Sequence, residues 1–176
     1  LRALHAFPLT GLPVPLPGNI SGESVREGRV IWENMYAEVR QKLFPAMRPD
    51  ARKKVTAHFE IYLDDSKLHD YIPALRHGDF GGDNILWNPE KGIVNAVIDF
   101  SSCAVGDPAY DLASIWTLGE DFFQRLAPRY EPGAAYREVL LSRARFYRGT
   151  FALEEALDGL RYNDPQAYQH GIEAFI

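Results

Sequence analysis

The 176-residue sequence predicts an α+β fold that is mainly α-helical, with one short β-hairpin around residues 85–98. Three observations predict it. Apolar residues recur at helical spacing on the N-terminal side of that stretch. Residues 93–98 form a β-branched run, set off from Ile85-Leu86-Trp87 by the turn formers Asn88-Pro89-Glu90-Lys91-Gly92. Beyond Asp107-Pro108 the pattern is helical to the end of the chain.

Taken in order, Leu1-Arg2-Ala3-Leu4-His5 reads as the end of a helix. Residues 7–19 hold four prolines and two glycines, and proline lacks an amide donor, so they form an ordered loop or linker. Val30, Ile31, Met35, Val39, Leu43 and Phe44 predict a helix from about 25 to 47, ending before Pro49. Asp50 can cap the next, with Val55, His58, Phe59, Tyr62 and Leu63 on one face. Pro73 closes the loop after it. Asp107-Pro108 pairs an N-cap with a first-turn proline and opens a helix to Leu118, stopped by Gly119. Further helices are expected at about 120–127, 134–148, 150–160 and 165–175.

The length suits one domain with a real core rather than two. No apolar run approaches the roughly 18 residues of a membrane span, and no charged-then-apolar leader is read at the start. Cys103 is the single cysteine, so an intrachain disulfide and a four-cysteine metal site are excluded, and a reducing cytoplasm is the expected setting. The net charge of −5 argues against a nucleic-acid partner, whose binding rests on basic patches. Residues 1–103 carry 13 acids and 12 bases, and residues 104–176 carry 11 and 7. The acidic C-terminal half can attract a cationic substrate or can be a solvated helical surface.

The densest chemistry lies in Arg76-His77-Gly78-Asp79-Phe80-Gly81-Gly82-Asp83-Asn84, followed past the hairpin by Val97-Ile98-Asp99-Phe100. Asp79 sits among glycines in a loop, where a carboxylate can accept a substrate hydroxyl's proton; alone it also fits a turn aspartate. Asn84 and Asp99 offer an amide and a carboxylate oxygen, hard ligands that suit Mg²⁺. A strand-end salt bridge is the competing explanation for Asp99, and a turn role the one for Asn84. His77 reads as a structural histidine that holds the loop, and Asp83 as a turn residue. Asp107 is explained as a cap. Asp111 lies one turn inside the helix among Leu112, Ala113, Ile115 and Trp116, and needs donors; the loop amides near His77 and Asp79 can supply them.

These blocks resemble the aminoglycoside phosphotransferase and choline kinase group, distant relatives of the protein kinases. His77-Gly78-Asp79 through Asn84 is similar to its catalytic loop, Val97-Ile98-Asp99-Phe100 to its metal-binding segment, and Gly106-Asp107-Pro108 with Asp111-Leu112-Ala113 to the helix start that follows. Leu1-Arg2-Ala3-Leu4-His5 with Pro8 resembles the helix that begins the C-terminal lobe. The resemblance implies a protein kinase-like C-terminal lobe spanning residues 1–176 as a single domain. It also implies Asp79 as catalytic base, Asn84 and Asp99 as Mg²⁺ ligands, His77 as a shaper of the loop and Asp111 as its anchor. His77-Gly78-Asp79 lacks the arginine that protein kinases carry at the middle position.

No region resembles the family's N-terminal lobe, and no Gly-x4-Gly-Lys-Ser/Thr replaces it. The chain therefore reads as a piece of a longer protein, with the nucleotide-gripping lobe absent, and cofactor-binding residues stay unassigned. The expected function is transfer of phosphate from ATP, or another nucleoside triphosphate, to a hydroxyl of a small molecule. An aminoglycoside or another cationic acceptor suits the acid surplus, with little activity expected from the 176 residues alone. A metal-dependent phosphoester hydrolase and a non-catalytic kinase-like binding module are the competing functions. No membrane partner is expected, and dimerisation through the face left by the missing lobe is a further expectation.

Overall fold

In the computed structural model, residues 1–10, 25–131 and 133–176 are described. The order is α1 (Arg2–His5), α2 (Val25–Lys42), α3 (Pro49–Asp64), β1 (Ala74–Arg76), β2 (Ile85–Asn88), β3 (Ile93–Val97), β4 (Ala104–Gly106), α4 (Ala109–Ile115), α5 (Glu120–Tyr130), α6 (Ala134–Arg161) and α7 (Pro165–Ile172). The fold is mainly helical with little sheet. Among the described residues no helix is long and apolar enough to cross a membrane. Most of the linker expected at 7–19 lies outside the described residues.

The core lies where α2, α3 and α6 meet. Tyr62 stacks on Phe146 with ring centroids 3.6 Å apart, and Trp32 packs edge-on against Phe146 at 5.0 Å. Phe59, Leu43 and Val39 are fully buried beside them. Val39, Leu43, Phe59 and Tyr62 of the expected faces are buried, whereas Val30 and Ile31 are 48% and 49% exposed and Trp32, outside that stripe, packs inward instead.

The hairpin forms as expected, antiparallel, with Ile85 opposite Val97 and Trp87 opposite Val94 and a register shift between Leu86 and Trp87. A second antiparallel ribbon, Ala74–Arg76 against Ala104–Gly106, was not expected. Its strands are three residues each and nearly thirty apart, too short for a period-2 pattern to stand out.

Several helix boundaries differ from expectation. The helix read to 47 ends at Lys42, and a 3₁₀ turn of Phe44–Ala46 follows, because Pro45 cannot continue the amide ladder. Asp50 does not cap α3; Arg48 is the N-cap, Pro49 takes the first position, and Asp50 is exposed in the first turn. The helix after Asp107 is α-helical only to Ile115 and closes through a 3₁₀ turn to Leu118 before Gly119. Residues 134–148 and 150–160 are one helix, α6, rather than two. Gly149 does not break it. A Cβ there would lie 2.4 Å from the His58 ring, so the glycine serves close packing of α6 on α3.

Candidate active site

The loop between β1 and β2 is held from several sides. Asp111, fully buried on α4, accepts the His77 N–H on Oδ2 and the Gly78 N–H on Oδ1, both at 2.8 Å. Two backbone donors of the loop thus end on one carboxylate that solvent does not reach. The buried His77 ring lies 2.9 Å through Nε2 from the Ile98 carbonyl. Since a carbonyl can only accept, Nε2 carries the proton, and Nδ1 is left to accept the Asp79 N–H at 3.3 Å. Gly78 has φ +85°, and a Cβ on it would sit 2.1 Å from the Ser102 carbonyl oxygen. Only glycine permits the loop to lie this close to the turn that follows Asp99.

These contacts bring the separate motifs together. The Asn84 carbonyl accepts the Ile98 N–H at 3.0 Å, so Ile98 is tied to the loop through both its backbone groups. Asp99 is the next residue. The Asn84 side chain donates through Nδ2 to the Asp79 carbonyl at 2.8 Å and to Asp79 Oδ2 at 2.9 Å. Both partners are acceptors, which fixes the amino end toward Asp79 and leaves Oδ1 on the other side. Asp79 and Asp99 are exposed. Asp83 is exposed as well and lies in the 3₁₀ turn Gly82–Asn84.

Asp99 holds a left-handed backbone, φ 59° and ψ 67°, which costs a non-glycine residue energy and concentrates at functional sites. Its Oδ1 accepts the Ser101 hydroxyl at 2.6 Å and the Ser101 N–H at 3.3 Å, and these bonds hold the carboxyl below its ordinary range. The Asn84 amide oxygen and the Asp99 carboxylate are hard oxygen donors of the kind a small divalent cation takes, and the two residues flank the same end of the hairpin.

Beside the loop runs a groove. One cavity of about 400 Å³ is bounded by Gly78, Ser102, Tyr110 and Glu154. A second, of about 390 Å³, is bounded by Glu38, Asp158 and Arg161 and shares Ile31, Trp32 and Glu154 with the first. Arg161 pairs with Asp158 at 2.7 Å and reaches Glu38 at 3.5 Å. Among the described residues Glu154 forms no ion pair; it accepts the Thr150 hydroxyl at 2.6 Å and the Tyr110 hydroxyl at 3.0 Å. Burial pushes its carboxyl up, and Asp158 adds to the shift. Arg76 lies over the Tyr110 ring at 4.6 Å.

The family model described as "Phosphotransferase enzyme family" matches residues 1–147. The chain belongs to this family. Among curated phosphotransferase relatives, viomycin phosphotransferase of Streptomyces vinaceus is 33% identical over 147 residues, covering 82% of this chain and 49% of the relative. The chain thus spans about half the length of that relative. The GDP complex of wild-type aminoglycoside 2'-phosphotransferase-IIIa shares the fold, with a TM-score of 0.80 at 22% identity over 98% of this chain and 56% of that one. Macrolide 2'-phosphotransferase type I gives 0.79 at 20% identity, over 99% and 55%. The mainly helical, kinase-like architecture is therefore that of phosphotransferase structures.

Sequence reasoning assigned no role to several groups that structure places at the site. His5 Nε2 lies 2.9 Å from Asp111 Oδ2, and Nδ1 lies 2.6 Å from the Tyr130 hydroxyl. With Asp111 as acceptor, Nε2 donates and Nδ1 accepts a hydrogen bond from the Tyr130 hydroxyl, so α1 and α5 brace the loop's anchor. The signal was a histidine 106 residues from its partner, invisible without the fold. Glu154 was equally hidden, as one of several acids on a long helix.

Proposed function

We propose that the complete protein transfers a phosphoryl group from ATP, or another nucleoside triphosphate, to a hydroxyl of a cation-bearing small molecule. In this reading residues 1–176 are one domain supplying the catalytic loop and the acceptor groove, and the rest of the protein grips the nucleotide. The observation that carries the reading is the arrangement of Asp79. It is exposed, its carboxylate is steadied by Asn84, and Gly78 beside it borders the groove.

Asp79 is the base. It accepts the acceptor's hydroxyl proton and aims the oxygen, while its own backbone is fixed by His77. Asn84 Oδ1 and the Asp99 carboxylate would hold Mg²⁺, which supplies charge neutralisation for the nucleotide phosphates. His77 and Asp111 keep the loop rigid, so that positioning is prepared before substrate arrives. The groove holds the acceptor, with Glu154 facing its positive charge. Relatives named for viomycin, aminoglycosides and macrolides support an antibiotic acceptor.

The test is nucleotide consumption with a panel of antibiotics, using the complete protein, its Asp79→Asn variant and the isolated 176 residues. Asp79→Asn is expected to lower kcat by about 10²–10⁴-fold with unchanged thermal stability. The isolated chain is expected to turn over little. Unchanged kcat in Asp79→Asn removes the assigned base, and robust turnover by the 176 residues removes the division of labour.

A further inference from the structure

Asp107 stands at a corner. Strand β4 ends at Gly106 immediately before it, and β4 pairs with β1, the strand that runs into His77. Helix α4 begins just after it and carries Asp111 four residues on. Both tethers of the catalytic loop therefore spring from residues flanking Asp107. Its own carboxylate is fully committed. Oδ1 accepts the Ala109 N–H at 2.9 Å, so Asp107 reaches the first residue of α4 although the N-cap is Pro108 and not Asp107 as expected. Oδ2 accepts the Tyr147 hydroxyl at 2.7 Å and lies 2.6 Å from Arg143 Nε.

Arg143 and Tyr147 both belong to α6, the helix that also carries Glu154. Arg143 is wholly buried, and its guanidinium lies over the Tyr71 ring at 5.5 Å. Asp107 and Tyr147 border the groove. A buried ion pair is a poor way to gain stability, because desolvating two charges offsets their attraction and an apolar pair of the same volume serves as well or better. What an ion pair supplies that an apolar pair cannot is a charge that holds its partner in place. With the Tyr147 hydroxyl and the Ala109 N–H, the Arg143 guanidinium keeps Asp107 in one position at the junction of β4 and α4.

We propose that Arg143 is a positioning residue for phosphoryl transfer: through Asp107 it sets the corner from which β1 and Asp111 hold the catalytic loop, and it ties that loop to the groove wall on α6. The claim rests on the kinase reading for its kinetic consequence, but its structural consequence stands apart. If Arg143 acts through the corner, losing it loosens the loop amides His77 and Gly78 while the acceptor's contacts on α6 persist. Catalysis falls through misplacement of Asp79, and acceptor binding does not.

The experiment uses the complete protein. Arg143→Met alone leaves a buried unpaired carboxylate and is expected to fold poorly, so the informative variant is the neutral pair Asp107→Asn with Arg143→Gln. Arg143→Lys is the conservative comparison. Amide hydrogen exchange at His77 and Gly78 is expected to speed up in the neutral pair while amides of α6 and α7 keep their protection. In the same variant kcat is expected to fall by about a hundredfold with KM for the acceptor within about threefold. Arg143→Lys is expected to recover part of both. A folded neutral pair with native exchange at His77 and Gly78 overturns the proposal even if the wild-type protein proves to transfer no phosphate. Faster exchange with no wild-type activity supports the positioning claim and overturns only the kinase reading. A loss confined to KM assigns the Asp107–Arg143 pair to acceptor binding, through the groove that Asp107 borders, and overturns it as well.

Discussion

The loop between β1 and β2 and the hairpin after it are neighbours in sequence and opposites in how they are held. His77 and Asp111 have no exposed surface, and the loop's amides end on buried acceptors. The hairpin has the composition of a buried strand pair, yet Leu86, Trp87, Ile93 and Val94 are each 45–56% exposed. A two-stranded ribbon is marginal by itself. The loop's geometry is thus set by this chain's own interior, whereas the hairpin offers an apolar surface to whatever lies against it. A base must be placed to a fraction of an ångström, and a surface that meets a flat ring or a second lobe need only be apolar and present.

Substitutions can break this contrast. The largest effect is expected for Asp111→Ala. It leaves the His77 and Gly78 N–H groups buried without an acceptor and strands His5 as well. Two orphaned donors at about 1–3 kcal/mol each give a loss of roughly 2–6 kcal/mol. Urea denaturation measures it, and activity should vanish with the loop's order. A loss below about 1 kcal/mol would mean that the loop is held mainly by β1 and His77.

Gly149→Ala comes next and probes the interior on which the loop rests. Alanine is the better helix former by about 1 kcal/mol, so an exposed glycine there would be improved. The new Cβ meets the His58 ring, which stacks on Phe146 at 5.0 Å and bonds its carbonyl at 2.9 Å. Overpacking of this kind costs about 1–3 kcal/mol, so a net loss in thermal denaturation is expected. A gain would show that α3 and α6 can separate freely.

The same two regions show what the sequence could and could not reveal. The loop was legible because its chemistry is local. His77, Asp79 and Asn84 lie within eight residues, among glycines. Asp111 was legible because an acid on the apolar face of a helix demands donors. The His5 brace, the Asp107–Arg143 pair and the β1–β4 ribbon were not, since each joins residues far apart in the chain with no periodicity between them. The expected division between 148 and 150 failed for a different reason. Local propensity treats glycine as a break, and here close packing against His58 determined its use.

A smaller effect, in pH dependence, is expected for Glu154. Its carboxyl is raised by burial and by Asp158 on its own helix, against which the Thr150 and Tyr110 hydroxyls and Arg76 on β1 act in the opposite direction. A raised carboxyl binds its proton more tightly in the folded state. Its contribution to stability is therefore present below the ordinary glutamate range and is lost as pH rises through the folded value. Glu154→Gln should flatten that decline. A cationic acceptor favours the ionised form, so its KM should fall as pH rises through the same interval, and the glutamine variant should lose the trend. A pH-independent KM in the wild-type protein would move the acceptor's charge away from Glu154.

The smallest effect on stability belongs to the hairpin. Trp87 and Val94 face each other across it and are 56% and 51% exposed, so little apolar area is withdrawn from water by either. Trp87→Ser with Val94→Thr keeps residues that a strand tolerates, and the free energy of unfolding of the 176 residues should change by no more than about 0.5 kcal/mol. If the face serves the nucleotide or the part of the protein that grips it, the same pair of changes in the complete protein should raise KM for the nucleotide and leave KM for the acceptor alone. A loss of several kcal/mol in the isolated chain would show that the hairpin is held as firmly as the loop, and the contrast between them would go. An unchanged nucleotide KM would keep the contrast but remove its purpose, because an apolar surface that nothing uses is a liability for solubility.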